Sequence, residues 1–185
     1  EEGRYKEAGN IKNAVPFLHQ DPDSDEILGQ CEESGRDQGH ATLCVSLMGA
    51  FCQMAYSIGE DLFAFDNYRA VAMAEYVGKY NLIKDEAFNK GTLVGDDFVY
   101  DSHSFPYTSY SNPSYTNATI STDQRGTKRP AWELFYGYCK AKGISSIYSG
   151  KWAEQMRPDG GGGNYGPNSG GFDQLGFGTL MYYRE

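Results

Sequence analysis

The chain has 185 residues, 39% hydrophobic and 22% charged, which is enough for one compact domain that buries most of its apolar side chains and excludes a disordered chain. A formal charge of -9 and a pI near 4.8 exclude the phosphate backbone of nucleic acid and an anionic membrane surface as principal partners. Any anionic ligand must then be met by a few well-placed cations.

The chain begins Glu1, Glu2, Gly3, Arg4, without a basic and apolar leader, and it carries no run of about 18 apolar residues, so a soluble protein is expected, with or without a signal peptide removed upstream. The first thirty residues, with Pro16, Pro22 and the acidic stretch from Asp21 to Glu26, show no sustained period and are expected to be irregular. Ser34 and Asp37 form an acidic variant of a capping box, and from Gly35 to Ile58 apolar residues recur at helical spacing: Leu43, Leu47, Ala50, Phe51, Met54 and Ile58. Gly59 is a natural stop. A second helix is expected from Asp61 through Lys79, with Phe65, Ala72, Met73, Tyr76, Val77 and Tyr80 as its stripe, and the short junction makes the two an antiparallel hairpin.

From Lys84 to Thr127 the helical period vanishes among Ser, Thr, Asn, Gly and Pro, and a segment of this kind is expected to lie over a cleft. Pro130 suits the first turn of a third helix carrying Trp132, Phe135, Tyr136 and Cys139 and closed by Gly143; a fourth fits Ser149 to Met156, stopped by Pro158. Gly160 to Gly171 is a low-complexity loop, after which Phe172 to Tyr183 resumes an apolar pattern. The expected fold class is all-α: an α/α toroid, complete or incomplete, built of antiparallel helical hairpins with long loops, or a plain bundle.

Four cysteines, at Cys31, Cys44, Cys52 and Cys139, lack zinc-type spacing and are too few for a disulfide scaffold. Cys44 and Cys52 lie about 12 Å apart along one helix, too far to bridge. His19 and His103 stand at no metal-ligand spacing, so no metal site and no cofactor are expected. The glycine run after Asp159 lacks the Lys and Ser/Thr of a phosphate loop.

The chemistry concentrates at Arg36, Asp37, Gln38 and His40. Arg36 and His40 share a helix face near its N-terminus, where the dipole and free N–H groups favour an anion. Such a cluster suits β-elimination on a uronic acid: Arg36 and Gln38 stabilise the C5 carboxylate as it becomes enolate-like, and His40 removes the C5 proton. The competing account is structural: Asp37 caps its own helix, Arg36 pairs with Glu32 or Glu33, and His40 is a core histidine. Glu32, Glu33 and Asp37 as hydrolase carboxylates are a further alternative. Arg129, with Trp132, Glu133 and Tyr136 behind it, is a candidate subsite cation, and Asn164 and Tyr165 in the glycine loop offer hydrogen bonds to a sugar; the default for each is structural.

The strings GQCEESGRDQGHATL (Gly29 to Leu43), DLFAFDNYR (Asp61 to Arg69), EYVGKYNL (Glu75 to Leu82), RPAWELFY (Arg129 to Tyr136) and NYGPNSGGFDQLGFGTL (Asn164 to Leu180) together resemble the alginate-lyase domain family of α/α-toroid polysaccharide lyases. The resemblance covers nearly the whole chain and implies a single domain, residues 1–185, forming the C-terminal portion of a toroid. It implies cleavage of an alginate-like uronate polymer by β-elimination, in a periplasmic or secreted location. Arg36 and His40 fall in the matching string. The catalytic tyrosine is open among Tyr76, Tyr80, Tyr107, Tyr136 and Tyr165; Tyr165 is placed with His40 and Arg36 as catalytic, and Gln38, Tyr107, Arg129 and Asn164 as substrate-binding. The expected partner is an acidic polysaccharide or oligosaccharide, with a missing N-terminal segment or a second chain completing the site. A non-catalytic or truncated acidic-glycan-binding module is the alternative function.

Overall fold

The computed structural model describes residues 17–82, 100–109, 111–112, 115–116, 118–157, 168–169, 174–175 and 182. The acidic stretch near the start, expected to be irregular, is the turn of a hairpin: β1 (Phe17–Gln20) pairs antiparallel with β2 (Ile27–Gln30), Phe17 opposite Gln30 and Gln20 opposite Ile27. Asp21 shapes the turn. Its N–H donates to the Glu26 carbonyl at 2.9 Å, and its carboxylate accepts the Asp23 N–H and the Ser24 hydroxyl, each at 2.9 Å.

A 3₁₀ turn, Glu32–Gly35, leads into α1 (Gln38–Ser57); α2 (Phe65–Asn81), α3 (Trp132–Lys142) and α4 (Ile147–Met156) follow. Two-residue ladders pair β3 (Ser111–Asn112) with β4 (Tyr115–Thr116) and β5 (Asn168–Ser169) with β6 (Gln174–Leu175). Among the described residues the fold is therefore mostly helical with short strand pairs, and the strands correct a strictly all-α expectation. No helix of the described residues is long and apolar enough to cross a membrane.

The hub is α2. Every residue from Val71 to Asn81 is buried, because β2, α1 and α4 all pack around it. Gly29 lets the hairpin approach: a Cβ there would lie 2.8 Å from the Met73 backbone nitrogen. The first turn of α2 is left-handed at Asp66, Asn67 and Tyr68, with φ of 49°, 55° and 60°, so the regular helix begins later than the apolar pattern implies. On the far side Trp132 of α3 stacks on Trp152 of α4, centroids 5.3 Å apart, and the Trp152 indole donates to the Gly78 carbonyl at 2.9 Å.

The C-terminal end of α3 follows the expectation, with Gly143 left-handed at φ 67°, whereas its start does not: the helix begins at Trp132 behind an Ala131 cap, and Pro130 lies before it rather than in its first turn. α4 begins two residues earlier than its local sequence indicates, since Glu75 of α2 accepts the Tyr148 and Ser149 N–H groups at 2.8 and 2.9 Å and so caps it from a distance. Burial pushes the Glu75 carboxyl above its ordinary value.

α1 departs most from expectation. Its inward face is Ala41, Thr42, Val45, Ser46, Gly49 and Cys52, whereas Leu47, Phe51, Met54 and Ile58 face outward. Close approach decides this: a Cβ on Gly49 would lie 2.9 Å from the Phe135 ring and 3.0 Å from the Leu134 side chain, so only small residues fit against α3.

Candidate functional site

Asp37, not Ser34, caps α1. Its backbone is extended and its Oδ1 accepts the His40 N–H at 2.7 Å, while Ser34 lies in the 3₁₀ turn with its hydroxyl 3.3 Å from the Cys31 thiol. The other carboxylate oxygen, Oδ2, stands 2.6 Å from His40 Nδ1 and 3.5 Å from Arg36 Nε. One carboxylate oxygen thus joins the two sequence-predicted residues. With Asp37 ionised, Nδ1 carries the proton and donates it to Oδ2, which leaves the Nε2 lone pair as a proton acceptor. The His40 side chain is 40% exposed and the Arg36 side chain 43%, so His40 is not a core histidine. Arg36 also reaches Glu33 Oε2 at 3.4 Å, as the structural account anticipated.

Gln38 is placed differently. It is fully buried: its Nε2 donates to the carbonyls of Ser34 at 3.2 Å and Ser121 at 3.0 Å, and its Oε1 accepts from Asn81 Nδ2 at 2.8 Å. Asn81 in turn accepts the Gly126 N–H at 2.8 Å. These amides fasten the first turn of α1 to the end of α2 and to the strap formed by residues 120–129. The strap also takes the Gln38 N–H on the Asp123 carbonyl at 2.7 Å, and Ala41 N–H goes to the Asp37 carbonyl at 3.1 Å. Of the N–H groups at the helix start, those of Gln38 and His40 are therefore taken by the protein's own acceptors, which narrows the anion seat expected there.

Arg129 binds the same helix start from the inward side, where Thr42 is buried. Its Nε donates to Thr42 Oγ1 at 3.2 Å and its Nη2 to the Gly39 carbonyl at 3.4 Å, which places the guanidinium against the first turn that carries His40. Gln124, which the sequence did not single out, also abuts this turn: a Cβ on Gly39 would collide with its amide oxygen and lie 3.1 Å from Asp37 Oδ1. A glycine between Gln38 and His40 was the available signal, since a helix interior takes glycine where another group approaches closely.

Tyr107 is half-buried on the core, held by the Gln30 side chain, which accepts the Thr108 N–H at 2.7 Å and donates to the Thr108 carbonyl at 2.9 Å. Burial, with Cys31 nearby, pushes the Tyr107 phenol above its ordinary value. Cys31 and Cys44 are free thiols, and the Cys31 thiol hydrogen-bonds with that of Cys44, one turn along α1 from His40. Among the other tyrosine candidates, Tyr76 and Tyr80 are core residues, with Tyr76 donating to the Pro106 carbonyl at 2.7 Å. Tyr136 is half-buried over Gly150. Tyr165 and Asn164 lie outside the described residues.

Of the segment from Lys84 to Thr127, residues 100–109 pack on Tyr76 and Tyr80 through Phe105, and the strap wraps the α1 N-terminus. The described residues thus form a mostly helical fold in which the buried Asp37 carboxylate joins the solvent-reaching His40 and Arg36 side chains at a pinned helix start. The chain matches no family model, no curated protein and no solved structure.

Proposed function

We propose that the chain is the C-terminal part of an α/α-toroid polysaccharide lyase that cleaves an alginate-like, uronate-containing glycan by β-elimination. The observation that carries this reading is the Asp37–His40 pair at 2.6 Å, which leaves a basic Nε2 on a side chain open to solvent. His40 Nε2 takes the C5 proton. The C5–H electrons form the C4–C5 double bond, the C4–O bond breaks, and the leaving oxygen takes a proton. Arg36 and Arg129 supply the positive charge for the C5 carboxylate as it becomes enolate-like. A phenol held protonated, as at Tyr107, suits hydrogen bonding to the sugar or proton delivery rather than base work. Tyr165 and Asn164 in the glycine loop remain candidates for the acid and for a subsite contact.

Elimination exchanges no electrons with a redox partner, so the reading calls for no redox cofactor. A polymeric uronate substrate places the protein in the periplasm or outside the cell. Incubating the chain with alginate, glucuronan and glycosaminoglycans should raise ultraviolet absorbance as unsaturated uronate ends form, and His40→Ala should lower that rate roughly a hundredfold. An unchanged rate in His40→Ala removes His40 from the mechanism. The Gln38 and His40 N–H groups, spent on the protein's own acceptors, favour a second reading, a module that binds acidic glycan without turnover. Saturable binding with no unsaturated product would establish it.

A further inference from the structure

From Leu47 onward the large side chains on the outward face of α1 are apolar, with Gln53 and Ser57 beside them uncharged. Leu47, Phe51, Met54 and Ile58 are 58%, 54%, 66% and 82% exposed, and Phe65 beyond the turn is 70% exposed. No Asp, Glu, Lys or Arg occurs from Gln38 to Ser57, in a chain of which 22% is charged. A solvent-facing helix surface ordinarily carries those charges, and a helix apolar on both faces is covered on both. At about 200 Å² for each large side chain, the four residues from Leu47 to Ile58 expose on the order of 500 Å², so two copies packed along them would bury about 1,000 Å², the lower end of a specific interface.

The spacing identifies the occupant. From Leu47 the steps are four, three and four residues, the alternation of a coiled-coil seam. The steps also read the same in both directions. An antiparallel copy of α1 related by a two-fold axis between Phe51 and Met54 therefore sets Leu47 against Ile58 and Phe51 against Met54, twice over, as an isologous interface requires. The flanking positions Met48, Ala50 and Ala55 are uncharged and half-buried, so two chains of net charge -9 meet here without placing like charges in the seam. We infer that α1 is the seam of a homodimer, with a second copy of this chain packed antiparallel along Leu47, Phe51, Met54 and Ile58. The seam starts about 10 Å along the axis from His40, at 1.5 Å per residue, and so does not consume the cluster at the helix start.

Sedimentation velocity of the full chain in the tens of micromolar range tests the inference. The wild type should run as a dimer. Phe51→Glu and Met54→Lys should each be monomeric with unchanged circular dichroism, because each places two uncompensated charges in the seam and weakens association roughly a hundredfold or more. Mixed in equal amounts, the two variants should recover the dimer, since the antiparallel register sets Glu against Lys and leaves Met54 against Phe51. A monomeric wild type overturns the inference and assigns the face to another segment or another protein. Dimeric single variants overturn the choice of face, and a mixture that stays monomeric overturns the antiparallel register.

Discussion

Replacing Lys79 with Met tests how the hairpin is held on α2. Lys79 is fully buried and pairs with Asp21, with Asp23 at 2.7 Å, while Tyr148 donates its hydroxyl to Asp21 at 2.6 Å. Its ammonium also lies 4.9 Å from the Tyr100 ring centroid and 5.1 Å from that of Tyr148. Methionine keeps the apolar stem and removes the charge, so Asp21 is left buried with neutral partners alone. Breaking a buried pair costs about 3–5 kcal/mol. Tyr148, Ser24 and the Asp23 N–H still satisfy Asp21, and the half-exposed Asp23 pair adds little, so a cost of about 3 kcal/mol is expected at neutral pH.

The pH dependence fixes the cause. Burial opposes ionisation of Asp21, but the bonds from Lys79, Tyr148, Asp23 and Ser24 outweigh it and hold the carboxyl below its ordinary value. In the wild type this contribution is fully present above the ordinary carboxylate value and is lost as pH falls through the lowered one. Without Lys79 burial prevails, Asp21 binds its proton more readily folded than unfolded, and the variant regains ground as pH falls. The gap between the two proteins should therefore narrow from pH 7 toward about pH 4. Urea unfolding read by the fluorescence of the buried Trp132 and Trp152 measures it. The double variant Asp21→Asn with Lys79→Met should return to within about 1 kcal/mol of the wild type. A cost under about 1 kcal/mol at pH 7, or one that does not narrow in acid, would refute the reasoning.

Three further outcomes are expected. Asp37→Asn keeps a helix cap of equal quality and so should hold stability within about 0.5 kcal/mol; it removes the carboxylate that orients His40, and elimination should slow roughly a hundredfold or more in the absorbance assay. Glu33→Gln releases Arg36 from its 3.4 Å contact, and KM for an acidic glycan should fall severalfold with kcat little changed. Gly29→Ala drives a Cβ to 2.8 Å from the Met73 backbone nitrogen, which cannot give way as a side-chain tip would, and should cost about 2 kcal/mol in the same urea titration.

The parts of the fold legible in the sequence are those written locally. α3 with its Gly143 stop and the existence of α1 and α2 follow from period and cap residues, because each signal lies within a few positions of what it controls. The hairpin at Asp21 was not legible: strands of four residues show little alternation, and Leu28, Gly29 and Gln30 are all buried where β2 packs on α2. The start of α4 depends on Glu75, more than seventy residues away, and no local pattern records a cap of that kind. At the site, Asp37 and His40 were legible because a cap and the residue three positions on are one helical turn apart. Arg36 precedes the helix and reaches Asp37 instead of sharing a helix face with His40; Arg129 was legible as a subsite cation, and only Gln124, which arrives through the strap, had no such signal. Gln38 was read as a ligand because an amide beside an arginine and a histidine looks the same whether it points out or in.

The inversion of α1 has a different origin. Its two faces have the same period, one of small residues and one of large ones, and periodicity states that a stripe exists without stating which side is inside. Volume decides it: Leu134, Phe135 and the tyrosines of α2 already fill the interior, so the helix that meets them must do so through Ala41, Val45, Gly49 and Cys52. The large residues are then displaced to a surface that carries no charge to suit it to water. The buried amides of Gln38 and Asn81 pin one end of this helix, and a partner along Leu47 to Ile58 would hold the rest. The Asp37–His40 pair sits on an element whose first turn is tied to the core by the Gln38 and Asn81 amides, so its backbone is positioned by buried hydrogen bonds rather than by the exposed side chains around it.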